Sequence, residues 1–231
     1  MYFLLRPNLC SPVFWGRKQI LQNFMDTQIE VGPGVLVPRA ETELLGWTAL
    51  SFIADIELPV VVDMCCGSGN VGLGIFTARP DARIYGADVT ADCVAWAKRN
   101  VERLGCADRV TYNQGDMFAG LAEWDLPGKV DLIACNPPYI STGKLEGESA
   151  FLLEHEPREA FDAGPYGISL HQRLIAEAVP FLKPGGWLVF EFGIGQERQV
   201  KALLARARAY GEPQFFTDED GRPRVAAAQK L

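Results

Sequence analysis

Between residues 59 and 209 the sequence alternates β-type runs with helical patterns, and this alternation constrains the fold more than any other feature. The clearest strand is "PVVVDM" at 59–64, a continuous β-branched run typical of a strand covered on both faces. Further strands are predicted at 82–88, 109–114, 129–135 and 186–193, and helices at 69–79, 91–104, 168–182 and 196–209. This order predicts a doubly wound α/β fold with a mostly parallel sheet, in which ligands bind at the carboxyl ends of the strands.

The segments on either side of this alternation complete the predicted organisation. Residues 1–28 predict a short N-terminal arm with one helix, and residues 29–231 a single domain. In that domain "QIEVGPGVLVPR" predicts a β-hairpin turning at 32–34, followed by a helix to about residue 54. Near the C-terminus "QFFTDEDGRPRVAAAQ" predicts two antiparallel strands joined near Asp220-Gly221 at one sheet edge. The stretch 140–168 has no clear element, and such a long connection favours a function there.

Charge and composition narrow the possible partners and the location. A net charge of −7 and a pI near 5.0 disfavour general attraction to a phosphate backbone, so nucleic acid is a weak candidate partner. The early apolar run "YFLL" ends at Arg6-Pro7 and is too short for a signal-peptide core or a membrane span, which predicts a cytoplasmic protein. Six cysteines without a C-x-x-C spacing, with only two histidines, predict reduced thiols and no metal site.

The first strand runs directly into a glycine-rich loop, "VVVDMCCGSGNVGLG". Glycines between a strand and a helix let the backbone approach a ligand, and the start of the helix offers unpaired N–H groups. Asp63, Gly67 and Gly69 are therefore candidate binding residues, although a tight strand-to-helix turn alone explains the same pattern.

Two acidic residues follow the next strands along the chain. Asp88 ends the second strand, where a carboxylate can accept hydrogen bonds from both hydroxyls of a ribose. Asp116 follows the third strand and could accept from an adenine amino group, with Met117 or Phe118 against the ring. Each acid alone also fits a solvated turn. Together, after consecutive strands, they outline a pocket shaped for a nucleoside.

The stretch "DLIACNPPYI" ends a buried strand on an amide and two prolines. Proline fixes φ and restricts the preceding residue, so the turn is stiff and its carbonyl groups point in set directions. The side-chain oxygen of Asn136 and the carbonyl of Pro137 can both accept from one planar NH₂ group, while Tyr139 packs on its plane. Holding an amide nitrogen in this way favours its in-line attack on a bound electrophile. A stiff strand-end turn without function is the alternative.

These features together resemble class I S-adenosylmethionine-dependent methyltransferases. Their D-x-G-x-G-x-G pattern places Cys65 at the first glycine position here and keeps Gly67 and Gly69. The resemblance implies S-adenosylmethionine as methyl donor and a Rossmann-like sheet of seven strands, mostly parallel. It also implies that Cys65 and Asn136 border the donor. A dinucleotide dehydrogenase would instead carry G-x-G-x-x-G.

Several separated motifs narrow the resemblance to one family. "VLVPRAETELL" (35–45), "NPPYI" (136–140), "EPREAFDAGPYGISLHQRLIAEA" (156–178), "LKPGGWLVFEFGIGQ" (182–196) and "DGRPRVAAA" (220–228) are similar to the PrmC/HemK protein-(glutamine-N5) methyltransferases. That family modifies the Gly-Gly-Gln motif of peptide-chain release factors. The resemblance implies a glutamine held by Asn136 and Pro137, with Tyr139 lining the site.

The same resemblance implies further residues around the acceptor. They are Pro38, Arg39, Glu41, Thr42, Pro138, Glu156 and Arg158. From the residues alone, Glu41 and Thr42 equally suit a helix start, and 156–158 a solvated loop. Gln196 is interpreted as a helix-start residue rather than a catalytic one.

Two departures from the family pattern keep other functions open. Family members carry a helical N-terminal domain, whereas about 28 residues precede the predicted hairpin here, and Cys65 replaces a glycine. One alternative is therefore a methyltransferase acting on a nitrogen or oxygen of a small molecule or natural product. Another is a non-catalytic domain of the same fold that binds a cofactor or a partner.

Overall fold

A computed structural model describes residues 19–154 and 156–231, and its centre is a seven-stranded sheet. The elements are β1 (Ile20–Phe24), β2 (Thr27–Val31), α1 (Glu43–Phe52), β3 (Val60–Met64), α2 (Asn70–Ala78), β4 (Arg83–Asp88), α3 (Ala91–Leu104), β5 (Val110–Gln114), β6 (Val130–Cys135), α4 (Thr142–Glu146), α5 (Ser169–Ala178), β7 (Leu182–Glu191), α6 (Glu197–Ala207), β8 (Gln214–Thr217) and β9 (Pro223–Gln229). The sheet order is β5-β4-β3-β6-β7-β9-β8.

The sheet is mostly parallel, as predicted. All pairs from β5 to β7 are parallel, whereas β9 runs antiparallel to both β7 and β8. The C-terminal hairpin therefore closes one edge of the sheet, which confirms that prediction. No helix in the described part of the chain is long and apolar enough to cross a membrane.

Helices cover both faces of the sheet and explain the apolar strands. Val61 of β3 packs with residues of α1, α2 and α3, whereas its neighbour Val62 packs with residues of α5 and α6. Successive side chains of a strand point to opposite faces, so a strand covered on both sides is apolar at every position. This explains why the run "PVVVD" does not alternate between apolar and polar residues.

The N-terminal hairpin differs from the prediction in its position. Strands β1 and β2 turn at Met25-Asp26, whose φ angles are +46° and +61°. The chain also turns at 33–34, but no strand directly follows this turn, so the predicted position of the hairpin is wrong. Two positive φ angles define a type I′ turn, which is usually signalled by Asn-Gly or Asp-Gly and is not signalled here. The Met25 side chain lies between α1 and α2, against Gly46 and Gly74. Residues 1–18, including most of the predicted arm and Cys10, lie outside the described residues.

Other boundaries also differ from the predicted ones. Strand β7 begins at Leu182 rather than 186, and α5 ends at Ala178 rather than 182. The stretch 140–168 contains α4 and short 3₁₀ turns at Ala150–Glu154 and Arg158–Ala160, instead of no element. The first predicted helix of the domain begins as a 3₁₀ turn at Ala40–Thr42 and continues as α1. Helix α4 and the 3₁₀ turns are too short to show helical periodicity in the sequence.

One buried amide joins the hairpin, α3 and the glycine-rich loop. Asn100 of α3 has no solvent exposure, and its Oδ1 accepts from the Glu30 backbone N–H at 2.8 Å. Its Nδ2 donates to the carbonyl oxygens of Glu30 at 2.8 Å and Ser68 at 3.1 Å. Each of these buried backbone groups would otherwise lack a partner there, and an unpaired buried polar group is costly.

We expect Asn100→Ala to lower the free energy of unfolding by about 2–4 kcal/mol, since it leaves three buried backbone groups without their partner. Lys98→Ala, an exposed position on the same helix, is the matched control and should stay within about 0.5 kcal/mol of wild type. Urea denaturation of both variants measures the difference. Equal stability of the two variants would show that Asn100 does not hold these segments together.

Candidate active site

The register of β3 against β6 brings the two sequence motifs to one place. Met64 pairs with Cys135 at the carboxyl ends of these parallel strands. The glycine-rich loop begins at the next residue after Met64, and the proline corner begins at Asn136. Two adjoining cavities open here. The glycine-loop cavity has a volume of about 300 Å³, and the proline-corner cavity has a volume of about 350 Å³.

The glycine-rich loop contains three residues in the left-handed region. Cys65 has a φ of +56°, Gly67 of +54° and Gly69 of +80°. A cysteine in this region bears a steric cost that glycine avoids, and Cys65 also lines the glycine-loop cavity. Its Sγ lies 3.8 Å from Met117 Sδ, which lines the same cavity. The five cysteines in the described part of the chain are free thiols.

Gly69 differs from the other loop residues because it does not line the cavity. A Cβ placed on it would lie 3.1 Å from the Tyr112 ring, so this glycine packs the loop against the sheet. Its predicted contact with the donor stays a prediction. Gly67 does line the cavity, and its backbone N–H donates to Asp88 Oδ2 at 3.0 Å.

Asp63 braces the start of α2 from beneath the loop. Its side chain is 2% exposed, and Oδ2 accepts from the Gly72 backbone N–H at 2.9 Å and the Tyr112 hydroxyl at 3.3 Å. Burial raises the pKa of this carboxyl to about 7, although both hydrogen bonds act in the opposite direction. Asp63 also borders the glycine-loop cavity, as predicted.

The two acids predicted to contact a nucleoside both line the glycine-loop cavity. Asp88 ends β4, and its Oδ1 accepts from the backbone N–H and the hydroxyl of Thr90 at 3.1 and 3.2 Å. Asp116 is paired with Arg173, whose Nη1 lies 2.9 and 3.1 Å from the two carboxylate oxygens. Met117 lines the cavity with a φ of +51°, whereas Phe118 packs against Phe181 in the core. Of the two predicted ring contacts, the position of Met117 therefore favours Met117.

The proline corner lies where the two cavities meet. Asn136 lines both, Pro138 lines the glycine-loop cavity, and Pro137 and Tyr139 line the proline-corner cavity. No described residue donates to Asn136 Oδ1 or to the Pro137 carbonyl. Gln196 fixes the end of the corner, because its Nε2 donates to the carbonyl oxygen of Tyr139 at 2.9 Å.

A buried ion pair that the sequence reasoning missed lies beneath Tyr139. Arg224 Nη2 donates to Glu191 Oε1 at 3.0 Å and to the Tyr139 hydroxyl oxygen at 3.1 Å. The Tyr139 hydroxyl donates to the same Glu191 oxygen at 3.1 Å. Burial and the charge of the neighbouring carboxylate both raise the pKa of Tyr139. A signal existed in "LVFEF", where an acid interrupts a buried strand.

The segment around Arg39 contributes to both cavities. Pro38 lines the glycine-loop cavity, Glu41 lines the proline-corner cavity, and Arg39 and Thr42 line both. Glu156 lines neither cavity. Its carboxylate pairs with Arg39 and accepts from the Val37 backbone N–H at 3.1 Å, so it holds this segment in place.

Arg158 differs from its predicted position in the site. It lines neither cavity, and its guanidinium pairs with Glu146 at 3.0 Å and Asp162 at 2.8 Å on the outside of the 140–168 region. Residues that the sequence reasoning missed complete the walls of the cavities; among them are Leu36, Leu152, Ala160, Phe161 and Asp162. Apart from the acid Asp162, they are apolar residues in loops or short 3₁₀ turns, and they carry no sequence signal of their own.

The doubly wound sheet, with a nucleoside-sized cavity beside a proline corner, defines a class I methyltransferase. A family model described as "Methyltransferase small domain" matches residues 49–155. The release factor glutamine methyltransferase of Moorella thermoacetica is 36% identical over 209 residues, which cover 90% of this chain and 72% of that protein. The chain belongs to the release factor glutamine methyltransferase family.

Solved structures agree with this fold. The protein-(glutamine-N5) methyltransferase (release factor-specific) from Alicyclobacillus acidocaldarius superposes with a TM-score of 0.51 at 24% identity, over 87% of this chain and 99% of that chain. An RNA methyltransferase from Salinibacter ruber in complex with S-adenosyl-L-homocysteine superposes with a TM-score of 0.52 at 19% identity, over 85% of this chain and 94% of that chain. These similarities confirm the predicted fold class.

The glycine-loop cavity suits S-adenosylmethionine, the donor used by this class of enzyme. Its volume lies within the range of small-molecule sites, at the lower end. It combines carboxylates at Asp88 and Asp116 with apolar side chains such as Met117 and Val89, as a nucleoside with a polar ribose and an apolar ring face requires. The protein is a methyltransferase that uses S-adenosylmethionine.

The raised pKa of Asp63 predicts a pH dependence of stability. An aspartate in an unfolded chain has a pKa near 3.8, so between about pH 4 and 7 the folded state holds a proton that the unfolded state has lost. The free energy of unfolding should therefore fall by about 4 kcal/mol from this group as the pH rises through that window. In Asp63→Asn this contribution is absent, and the difference between the two curves of stability against pH measures it. Parallel curves would contradict the assigned pKa.

Asp88 is expected to bind the donor through charged hydrogen bonds. Asp88→Ala should weaken S-adenosylmethionine binding by about 10- to 150-fold, which corresponds to about 1.5–3 kcal/mol. Asp108→Ala, an exposed acid outside both cavities, is the charge-matched control and should bind as wild type does. Isothermal titration calorimetry measures the dissociation constant of S-adenosylmethionine for both variants. An unchanged dissociation constant for Asp88→Ala would show that this residue does not bind the donor.

Proposed function

We propose that this enzyme methylates the side-chain amide nitrogen of a glutamine in a protein, and that the protein is a peptide-chain release factor. The supporting observation is the position of Asn136, which lines both the glycine-loop cavity and the proline-corner cavity. A donor in one cavity and an acceptor in the other then meet at this residue. The names of the relatives support glutamine as the acceptor.

The chemistry of the corner suits a primary amide. Within residues 19–154 and 156–231, nothing donates to Asn136 Oδ1 or to the Pro137 carbonyl, and two prolines hold this backbone stiff. An NH₂ group has two hydrogens in one plane, and each of them can donate to one of these oxygens. When both hydrogens are held, the plane of the amide is fixed, and the nitrogen can present one face to the methyl group. In-line attack requires this orientation.

The balance of the reaction requires no redox partner. Bound S-adenosylmethionine supplies a methyl group on a sulfonium, and the sulfonium becomes a neutral thioether when the carbon–sulfur bond breaks. A new nitrogen–carbon bond forms, the positive charge passes to the amide, and the amide nitrogen then releases one proton to bulk water. The chain's own contribution is therefore to orient the amide and exclude water, which lowers the entropic part of the barrier.

The walls of the proline-corner cavity suit a flexible side chain with a polar end. Leu36, Leu152 and Phe161 provide apolar surface, whereas Asn136 and Glu191 provide polar groups at the inner side. A glutamine would place its two methylenes against the apolar walls and its amide at the corner. A release-factor acceptor would also place the enzyme in the cytoplasm, where translation ends.

The acceptor is tested by methyl transfer from donor labelled at its methyl group. A release factor, its Gly-Gly-Gln peptide, the Gly-Gly-Asn peptide and free glutamine are incubated separately with the enzyme, and mass spectrometry locates the label. We expect label on the glutamine of the factor and none on the Gly-Gly-Asn peptide. Label on a small molecule only, or donor binding without transfer to any glutamine acceptor, would contradict the proposal.

Asn136→Ala should reduce kcat at least about 100-fold because it removes one of the two oxygens that orient the amide. Its donor dissociation constant should stay within about threefold of wild type, since most contacts of the glycine-loop cavity remain. Asn113→Ala, a partly buried amide on β5 outside both cavities, is the matched control. Wild-type turnover of Asn136→Ala would refute the assigned role.

A further inference from the structure

The side chain of Gln196 forms three hydrogen bonds, which is more than the start of a helix requires. Its Oε1 accepts from the Gly193 backbone N–H at 2.8 Å, just before α6. A glutamine that reaches back to a backbone N–H three residues earlier satisfies a free donor at a helix start. Its Nε2 donates to the carbonyl oxygens of Tyr139 at 2.9 Å and Gly167 at 3.0 Å. The helix start therefore accounts for one of the three bonds and leaves two to be explained.

These two bonds join segments that are distant in the sequence. Tyr139 belongs to the proline corner, 57 residues before Gln196, and Gly167 lies in the 140–168 region, 29 residues before it. Ala160 of the same region lines both cavities. A Cβ on Gly167 would lie 2.8 Å from the Tyr139 carbonyl oxygen, so the close approach of these segments requires a glycine. One side-chain amide thus joins the corner, a wall of the cavities and α6.

The direction of the Pro137 carbonyl depends on how the corner is held. Proline fixes φ but not ψ, and a peptide plane turns as one unit, so this carbonyl changes direction when ψ of Pro137 changes. The corner must therefore be fixed at both ends. Strand β6 holds the first end, because Cys135 is paired with Met64 in the sheet. The second end is Tyr139, which lies beyond the last residue of the strand.

The peptide plane that follows Tyr139 is held from two sides. Gln196 donates to its carbonyl oxygen, and the Ile140 N–H in the same plane donates to the Phe161 carbonyl oxygen at 3.0 Å. Phe161 lies in the same region that Gln196 holds through Gly167. Gln196 therefore supports this plane directly and also through the neighbouring segment.

We propose that Gln196 is a positioning residue that keeps the Pro137 carbonyl directed at the acceptor amide. It lines neither cavity, so it acts through Tyr139 and not by contact with the donor or the acceptor. Loss of its two donor bonds frees the second end of the corner, and the Pro137 carbonyl then leaves the direction that the amide requires. This inference rests on the proposed function, because it concerns the oxygen that holds the acceptor.

Gln196→Glu separates the two roles of this side chain. A glutamate has the same shape, keeps an oxygen for the Gly193 N–H and suits a helix start. Its ionised form has no hydrogen to donate to Tyr139 or Gly167. We expect kcat with the Gly-Gly-Gln peptide to fall about 10- to 100-fold, because a small displacement of an orienting group has effects of this size. The donor dissociation constant should stay within about threefold of wild type.

Two further variants complete the comparison. Gln196→Met has a similar length but forms none of the three bonds, so its kcat should fall as well. Gln199 is an exposed glutamine in the first turn of the same helix, outside both cavities, and Gln199→Glu is the charge-matched control with wild-type kcat. Wild-type kcat in either Gln196 variant, or an equal loss in the control, would overturn the proposal. Weakened donor binding in either Gln196 variant would overturn it too, because the effect would then extend beyond the corner.

Hydrogen exchange without any acceptor separates this inference from the proposed function. In ¹⁵N-labelled protein, the backbone N–H groups of Gly193 and Ile140 are followed separately. In Gln196→Glu we expect Gly193 to exchange as slowly as in wild type and Ile140 at least about tenfold faster, whereas both should be fast in Gln196→Met. Unchanged exchange of Ile140 in Gln196→Glu would overturn the inference even if glutamine is methylated. The expected pattern would support the positioning role even if the acceptor proves to be another amide.

Discussion

The parallel pairing of β3 with β6 is the constraint on which the rest of the site depends. Because Met64 and Cys135 are partners in the ladder, both strands end at the same level. The loop that approaches the donor and the corner that holds the acceptor therefore leave the sheet side by side. A shift of one residue would turn every side chain of one strand to the opposite face and separate the two motifs.

Around this edge the protein keeps features that cost stability. Cys65 and Met117 have positive φ angles beside the glycine-loop cavity, and Glu191 is buried with one oxygen unpartnered among the described residues. Strained backbone and buried charge persist where the surrounding structure holds them and where function uses them. Here Arg224 compensates the buried carboxylate, and the packed strands hold the loop.

The sequence predicted the parts of the protein that follow from periodicity. The α3 boundaries agree with the prediction, and the register of the strands placed Asp88 and Asn136 at the cavities as expected. The position of the hairpin was not predicted because Met25-Asp26 is not one of the residue pairs that usually signal a type I′ turn, so nothing in the sequence indicated its positive φ angles. An acid within the apolar strand signals that Glu191 has a role, but the partners that define this role, Tyr139 and Arg224, come from distant segments of the chain.

The central claim is that one corner holds the amide while the donor occupies the adjoining cavity. The most direct measurement is a crystal structure with S-adenosylhomocysteine and a Gly-Gly-Gln peptide bound together. The account predicts the glutamine nitrogen within about 2.7–3.2 Å of both Asn136 Oδ1 and the Pro137 carbonyl oxygen, facing the sulfur of the cofactor. A peptide bound elsewhere, or a glutamine that contacts neither oxygen, would contradict it.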